Sequence, residues 1–285
     1  MVNVPVRKPG APAGRIAAVT LKYVALILFA LVALIPFAWM ISSSLKTSTT
    51  VFTIPMRWIP ETAHWENFSA IWEKVPLLAY FKNTTTVAIA VTFMQILTSS
   101  FAAYAFAKMQ FKGRDALFLC YIGTIAVPWQ VYMVPQFIMM RGVGLYDTIW
   151  ALVVLQSFSA FGVFLMRQFY LSIPNDLSEA ARIDGLSEYG IWFRIILPLS
   201  KPAIATLAIF TFVNTWNDYM GPLIYLTTDL NKTIQVGLRR FIQSYSADYH
   251  LIMAASLCSL VPVTIVFLFL QRYFIEGIAT TGLKG

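Results

Sequence analysis

The chain has 285 residues, of which 58% are hydrophobic and only 12% are charged, and its mean hydropathy is +0.69. A soluble domain carries about 25% charged residues, so this composition excludes an ordinary soluble protein and indicates an integral membrane protein in contact with lipid. A net charge of +8 would suggest nucleic acid as the partner of a soluble protein. Here the cations fall between apolar runs, so we expect them to set membrane topology and expect no nucleic-acid partner.

The N-terminal part combines a basic stretch with the first apolar run. Residues 1–22 are rich in Pro, Gly, Lys and Arg and predict an unstructured basic lead-in. The uncharged run that follows predicts a first span at about 24–42. A signal peptide also begins with basic residues and an apolar run, but this run is long for one and no small-x-small cleavage site follows it. We therefore favour an uncleaved first span.

The next stretch predicts an external loop and a central helix. Residues 46–82 contain Trp58, Trp65 and Trp72, and tryptophan favours the membrane interface, so we predict a folded external loop with a short helix near 68–74. The second span, 83–107, is rich in Thr, Ser and Ala. Such small and hydroxylated residues let helices approach closely, which places this span at the centre of the bundle.

Four further spans complete an all-α fold with six transmembrane helices. They are predicted at about 116–140, 148–166, 203–226 and 251–271. Pro128 and Pro135 predict kinks in the third, and Asn217-Asp218 interrupts the fifth. The domain organisation is then a cytoplasmic lead-in at 1–22, one transmembrane domain at 23–275 and a cytoplasmic tail at 276–285.

Six spans place both termini on one side of the membrane. That side carries 13 of the 21 Lys and Arg residues and the opposite side carries 8. Because positive residues accumulate on the cytoplasmic side, the N- and C-termini are predicted to be cytoplasmic. The polar segment between the fourth and fifth spans then also lies in the cytoplasm.

This polar segment, residues 174–200, predicts two short helices. Asp176 with Glu179 three residues later fits a capping box, and Gly185 is placed to end the first helix in a left-handed conformation. Ser187 can cap the second helix. The resulting shape suits docking into a groove on a soluble partner. An ordinary amphipathic loop helix is the alternative, although so long a loop among short connections favours a function.

The same segment carries a family pattern. Glu-Ala-Ala, three residues, Gly, nine residues and Ile-x-Leu-Pro are met at Glu179, Ala180, Ala181, Gly185, Ile195, Leu197 and Pro198. This resembles the signature of the membrane subunits of binding-protein-dependent ABC importers. Residues 215–223 and 271–277 resemble the carbohydrate branch, and 281–285 resemble the second, smaller permease of maltose-type sugar importers. The resemblance runs from about residue 20 to the C-terminus.

The resemblance implies a permease subunit of an ATP-driven sugar importer that works by alternating access in the bacterial inner (plasma) membrane. The segment around Glu179, together with Asp184, would be the coupling helix, and Lys284 and Gly285 would reach the ATPase dimer. The implied partners are a second, larger permease in a heterodimer, two copies of a cytoplasmic ATPase and an extracytoplasmic sugar-binding protein. ATP and Mg²⁺ would be bound by the ATPase, so this chain would be neither an enzyme nor a cofactor carrier.

Candidate residues for a substrate path lie in the third and fifth predicted spans. Asp218 is the only acid within a predicted span, and with Trp216, Asn217 and Tyr219 it offers the hydrogen-bonding and stacking groups that bind sugars. Alternatively, Asp218 pairs structurally with Arg141 or Asn214. Gln130, Tyr132 and Gln136 are weaker candidates, since they could equally bond neighbouring helices.

Other functions find less support in the sequence. Neither a Gly-x-x-x-x-Gly-Lys-Ser/Thr loop for ATP nor a His-Glu-x-x-His pattern occurs, and Cys120 and Cys258 lie in apolar runs as expected of packed thiols rather than metal ligands. An ion-coupled secondary transporter of small polar solutes would need several ionisable groups at the membrane midplane and often an internal repeat. A membrane enzyme would need a catalytic constellation near the spans, which the sequence lacks.

Overall fold

The computed structural model describes residues 13–242 and 248–281. Within these ranges the chain is built from helices and contains no strand. The α-helices are α1 (Ala13–Ser44), α2 (Asn67–Lys74), α3 (Leu77–Lys108), α4 (Arg114–Gly123), α5 (Trp129–Gly142), α6 (Ile149–Gln156), α7 (Ala160–Leu171), α8 (Asp176–Ile183), α9 (Glu188–Ile191), α10 (Leu197–Leu199), α11 (Lys201–Trp216), α12 (Met220–Tyr225), α13 (Ile234–Leu238) and α14 (Tyr249–Thr281). A π-helical turn, Trp192–Ile196, joins α9 to α10, and 3₁₀ turns lie at Thr124–Ala126, Asp229–Asn231 and Arg239–Phe241.

Six membrane crossings can be made from these helices. Among the described residues, three helices are long and apolar enough to cross alone: most of α1, all of α3, and residues 249–273 of α14. Three further crossings are bent pairs. Arg114–Ala126 meets α5 at 97°, α6 meets α7 at 42°, and the stretch from Glu188 to Leu199 meets α11 at 79°. The fold is therefore an all-α bundle of up to six spans, three of them broken.

The third and fourth spans differ from the continuous helices expected. The third was predicted as one helix kinked at both prolines, but it breaks at Pro128, which is extended, while Pro135 is accommodated inside α5. Since proline also disfavours a helical residue before it, Val127 leaves the helix as well. The fourth breaks at residues 157–159, where the Ser159 hydroxyl accepts from the Gly162 amide and starts α7 afresh.

The outermost helices extend beyond their predicted limits. Helix α1 begins at Ala13, so the prediction of an unstructured lead-in over residues 13–22 is wrong. That stretch contains Ala, Arg, Leu and Lys, which favour a helix even where the chain leaves the bilayer. Helix α14 likewise continues to Thr281 instead of ending near 271. The short helix expected near 68–74 is confirmed as α2.

Helix α3 lies at the centre of the bundle, as its small and hydroxylated residues predict. It packs against α6, α7 and α11. The approach to α7 is close, because a Cβ atom placed on Gly162 would lie 2.4 Å from the Ser99 hydroxyl of α3. Glycine at this position therefore lets the two helices approach closely, and a larger residue would displace the Ser99 or Leu207 side chain.

Three buried clusters hold the bundle together. The inner cluster includes Tyr104, Tyr170 and Ile196, and the outer cluster includes Tyr80, Trp216 and Phe241. A third cluster, around Leu152 and Tyr225, connects α3, α5, α6 and α12. Helix α1 stands apart, since it packs against α14 and its apolar side chains are otherwise exposed to lipid or to a partner. Of the two cysteines, Cys258 is half-buried, whereas Cys120 is exposed on α4 and is not the packed thiol expected.

Candidate functional site

A cavity of about 510 Å³ lies between the central helices. Its walls come from α3, α5, α6, α7, α11 and α12, so it sits where the broken spans face the central helix. Its lining mixes amide, hydroxyl and carboxylate groups with aromatic rings. Those groups are Gln95, Trp129, Tyr132, Gln136, Gln156, Phe158, Ser159, Phe161, Phe210, Thr211, Asn214, Thr215, Asp218 and Tyr225.

Hydrogen bonds join the polar groups of this cavity. The Gln156 amide nitrogen donates to the Asp218 carboxylate at 2.9 Å, and the Gly221 amide donates to the same carboxylate at 3.1 Å. The Thr215 hydroxyl donates to the Gln156 amide oxygen at 3.2 Å. Gln95 of α3 donates to the Gln156 carbonyl oxygen at 2.7 Å. These hydrogen bonds therefore connect the polar side of the cavity to α3, α6 and α11.

Only some of the residues predicted to form a substrate path line this cavity. Asp218, Tyr132 and Gln136 line it. The Asp218 carboxylate bonds to Gln156 and to the Gly221 amide, and not to Arg141 or Asn214. Gln136 also accepts from Trp129 at 3.0 Å, so it supports the wall as well as facing the space. Gln130 is exposed on α5 and does not belong to the lining.

The other residues predicted for the substrate path form hydrogen bonds with neighbouring parts of the protein instead. Trp216 is 1% exposed, stacks on Phe212 and donates to the Ser259 hydroxyl and carbonyl oxygens on α14. Asn217 accepts from Gln235, and the Tyr219 hydroxyl accepts from Arg239. The helix break after α11 explains this division, because it turns successive side chains to different sides.

Sequence reasoning missed Gln95 and Gln156, which organise the cavity. Gln156 ends the otherwise apolar helix α6, and Gln95 is a long amide in an uncharged stretch of α3. A polar side chain there is costly unless it finds a partner, and this signal alone could have marked both residues. Thr211 and Thr215 were also missed, because threonine in a span commonly bonds to its own helix.

The polar segment forms the two short helices that the sequence predicts. Gly185 has φ +83°, its amide donates to Arg182 oxygen at 3.0 Å, and the Leu186 amide donates to Ala181 oxygen at 2.9 Å. These bonds form a Schellman end, which a left-handed residue makes possible. Ser187 caps the second helix, since its hydroxyl accepts from the Gly190 amide at 3.3 Å.

The start of α8 differs from the predicted capping box. Asn175, not Asp176, is the N-cap residue, and it makes no side-chain capping bond. Asp176 and Glu179 instead lie within the first turn, where their negative charge favours the positive end of the helix. One face of α8 is buried through Ser178 and Ala181, as this short amphipathic helix requires.

Most of the family pattern is presented on the surface. Glu179, Ala180, Asp184, Gly185 and Pro198 are exposed. Ile195 and Leu197 are half-buried where the π-helical turn passes into α10. Ile183, at the end of α8, is an apolar side chain that remains 86% exposed. The segment therefore offers a small convex surface of mixed apolar and acidic character.

Glu188 ties this surface to the bundle, a contact not predicted from the sequence. Its carboxylate accepts from Arg182 at 2.6 and 3.2 Å and from the buried Tyr104 hydroxyl at 2.6 Å. The Arg182 and Tyr104 hydrogen bonds stabilise the charged form of the half-buried Glu188 carboxylate. Lys284 and Gly285, the predicted ATPase-contacting tail, lie outside the described residues.

A six-span helical bundle with broken spans, a polar central cavity and a surface segment bonded to its central helix defines a membrane transport protein. Residues 95–280 match the family model described as binding-protein-dependent transport system inner membrane component. The chain belongs to this family.

Named relatives match nearly the whole chain. It is 35% identical to the arabinooligosaccharides transport system permease protein AraQ of Halalkalibacterium halodurans, over 90% of this chain and 93% of that protein. It is 30% identical to the lactose transport system permease protein LacG of Rhizobium radiobacter, with the same coverage of 90% and 93%. Its fold matches a chain of a bacterial ABC transporter that imports the acidic polysaccharide alginate, with a TM-score of 0.81, 24% identity, and coverage of 94% and 100%.

These comparisons confirm the family and the six-span fold expected from the sequence. The chain is a membrane-embedded permease of an ABC-type transport system that works with a binding protein. Its relatives are transport permeases and not enzymes.

Proposed function

We propose that this chain is one of two different permease subunits of an ATP-driven importer of oligosaccharides. The relatives at 30% identity or more include permeases named for arabinooligosaccharides and for lactose. The cavity suits such a cargo, because amides, hydroxyls and a carboxylate can bond sugar hydroxyls while aromatic rings cover the C–H faces of the sugar. Asp218, Tyr132 and Gln136 would contact the sugar from this subunit.

The observation that carries the proposal is the geometry of residues 174–200. A short amphipathic helix that exposes Glu179 and Ala180, buries Ala181 and has a Schellman end at Gly185 lies at the surface of the bundle. This surface would sit in a cleft of a cytoplasmic ATPase. The contact residues would be Glu179, Ala180, Ala181, Asp184, Gly185, Ile195, Leu197 and Pro198, joined by the C-terminal Lys284 and Gly285.

In this mechanism the chain itself performs no bond chemistry. Two ATPase subunits would bind ATP and Mg²⁺ and close together, carrying α8 of each permease with them. The permease pair would then pass between inward-facing and outward-facing states, and a sugar-binding protein would deliver the cargo from outside. Both termini would lie in the cytoplasm, in agreement with the excess of Lys and Arg on that side.

Reconstitution of the full complex in proteoliposomes tests this function. With the second permease, the ATPase and the binding protein present, we expect uptake of labelled arabinotriose or lactose that requires MgATP and is absent with a non-hydrolysable analogue. Omission of the binding protein should abolish this uptake. Uptake by this chain alone, driven by an ion gradient, would instead establish a secondary transporter and overturn the proposal.

A further inference from the structure

The inner end of α3 reaches both ends of the coupling helix α8. Tyr104 and Lys108 lie one turn apart on α3 and therefore share one face. At the start of α8, the Lys108 ammonium donates to the Ile173 carbonyl oxygen at 2.6 Å and to the Asn175 side-chain oxygen at 2.9 Å. Near its end, the link runs from Tyr104 through Glu188 to Arg182, the second-last residue of α8.

The second of these contacts is a chain of short, charge-assisted hydrogen bonds. The Tyr104 hydroxyl donates to Glu188 Oε2 at 2.6 Å, while Arg182 donates to both carboxylate oxygens of Glu188. Such bonds are directional and stronger than neutral ones. Tyr104 is only 2% exposed within the inner cluster, so its hydroxyl cannot follow Glu188 without movement of α3.

Helix α3 also reaches the cavity. Gln95 lies about 14 Å along the same helix from Tyr104, at 1.5 Å per residue, and it bonds to Gln156 and Thr211 in the cavity wall. A continuous rigid helix thus connects the surface segment to the polar lining. Along the chain itself, α8 is joined to α7, which ends at Leu171, and to α9, which begins at Glu188, but not to α3.

We propose that Tyr104, Glu188 and Arg182 form a positioning link that passes movement of α8 directly to the central helix α3. This inference rests on the proposed docking of α8 on an ATPase. It assigns Glu188 a role beyond holding the fold of the segment. Without the link, α8 would still bind the ATPase and move with it, but α3 and the cavity wall would follow less closely.

Hydrogen–deuterium exchange on the assembled complex separates transmission from local stabilisation. Peptides covering 174–191 and 101–112 are followed with and without MgAMP-PNP, which needs no knowledge of the sugar. In the wild type we expect nucleotide to change exchange in both peptides. In Tyr104→Phe and in Glu188→Gln we expect the change in 174–191 to remain and the change in 101–112 to fall about tenfold or more, the effect of losing a charge-assisted hydrogen bond.

A matched control is available in the same buried cluster. The Tyr170 hydroxyl is buried and makes no hydrogen bond among the described residues, so Tyr170→Phe removes a hydroxyl without touching the link. Its exchange response should equal that of the wild type. The double variant Tyr104→Phe with Glu188→Gln should be no worse than the more affected single variant, because both remove the same connection.

Three results would overturn the inference. One is an unchanged nucleotide response of 101–112 in both single variants; another is equal loss in both peptides, which would show that the contacts only hold the segment in shape. The third is sugar uptake by the wild type that needs no ATP, which would refute both the proposed function and this inference. If the wild type requires ATP and the variants respond normally, the link alone is refuted and the importer function stands.

Discussion

Gln156 donates a hydrogen bond of 2.9 Å to the Asp218 carboxylate, and each residue stands at a break between two helices. Gln156 is the last residue of α6, just before the bend into α7, and Asp218 lies between α11 and α12. A break frees backbone groups from helical bonding, and in a membrane these groups need partners from within the protein. The two breaks thus support each other and present their polar groups to the same cavity.

The variant Gln156→Leu should destabilise the bundle and slow uptake. It removes the amide donor to Asp218 and the acceptor for Thr215 while keeping a similar side-chain volume. Leaving such groups buried without partners costs about 1–3 kcal/mol, so the midpoint of thermal unfolding in detergent should fall by several degrees. Gln130→Leu, at an exposed glutamine outside the cavity, is the control. Equal behaviour of the two variants would contradict a role for the Gln156–Asp218 bond.

The variant Gly185→Val should weaken ATPase binding while the spans remain inserted. Gly185 has φ +83°, which costs a β-branched residue about 1–2 kcal/mol, although nothing lies within 4 Å of its Cβ position. The strain is therefore conformational and should open the Schellman end that shapes the docking surface. Gly190→Ala, in the same segment without positive φ, is the control. Copurification of the ATPase with each variant measures the effect. Normal recovery of the ATPase with Gly185→Val would show that residues 174–200 are an ordinary loop and not a docking surface.

Much of the fold followed from the sequence because hydrophobic runs and terminal signals are local. The six apolar runs, the central position of α3, the glycine end of α8 and the Ser187 cap depend on neighbouring residues alone. The breaks at 127–128 and 157–159 were not foreseen, since a proline or serine in an apolar run is equally compatible with a kinked continuous helix.

The site was only partly predictable for a different reason. Asp218 could be singled out because an acid in a span is costly, but its partner Gln156 is 62 residues away and no local pattern connects them. The same holds for Tyr104 and Glu188, which are 84 residues apart. Trp216 was assigned to the path by its proximity to Asp218, whereas its indole is committed to Ser259 on α14.

The variant Gly162→Ala should disrupt the packing of α7 against α3. The new Cβ would lie 2.4 Å from the Ser99 hydroxyl and 3.2 Å from a Leu207 methyl group. Overpacking of this kind costs about 1–3 kcal/mol. Ser99→Gly should restore part of the lost thermal stability when combined with Gly162→Ala, because it removes the obstructing side chain. Gly142→Ala, whose Cβ would meet nothing within 4 Å, should leave the unfolding midpoint unchanged. If Ser99→Gly does not restore thermal stability, contact with Ser99 is not the cause of the destabilisation.

Acid should loosen the connection that Asp147 makes between the α5–α6 loop and the segment after α12. Its carboxylate accepts from the Thr227 and Thr228 amides at 2.7 and 2.9 Å and from the Thr228 hydroxyl. These bonds, that from the Thr228 hydroxyl foremost, hold the pKa of Asp147 below its usual value. Because the pKa is lower in the folded state, the stabilisation is fully present above the unfolded value of about 3.9 and is lost as pH falls through the folded one.

The variant Asp147→Asn measures this contribution. Asparagine tolerates the φ of 60° found here, so the change removes charge and acceptor capacity without new backbone strain. The variant should unfold at a lower temperature than the wild type at pH 5, and the gap should shrink at pH 3, because the Asp147 carboxylate of the unfolded wild-type chain binds protons below about pH 3.9. Glu73→Gln, at an exposed residue whose carboxylate makes no hydrogen bond in the described chain, should show no such narrowing. A gap that stays constant between the two pH values would mean that Asp147 acts through shape alone and not through its charge.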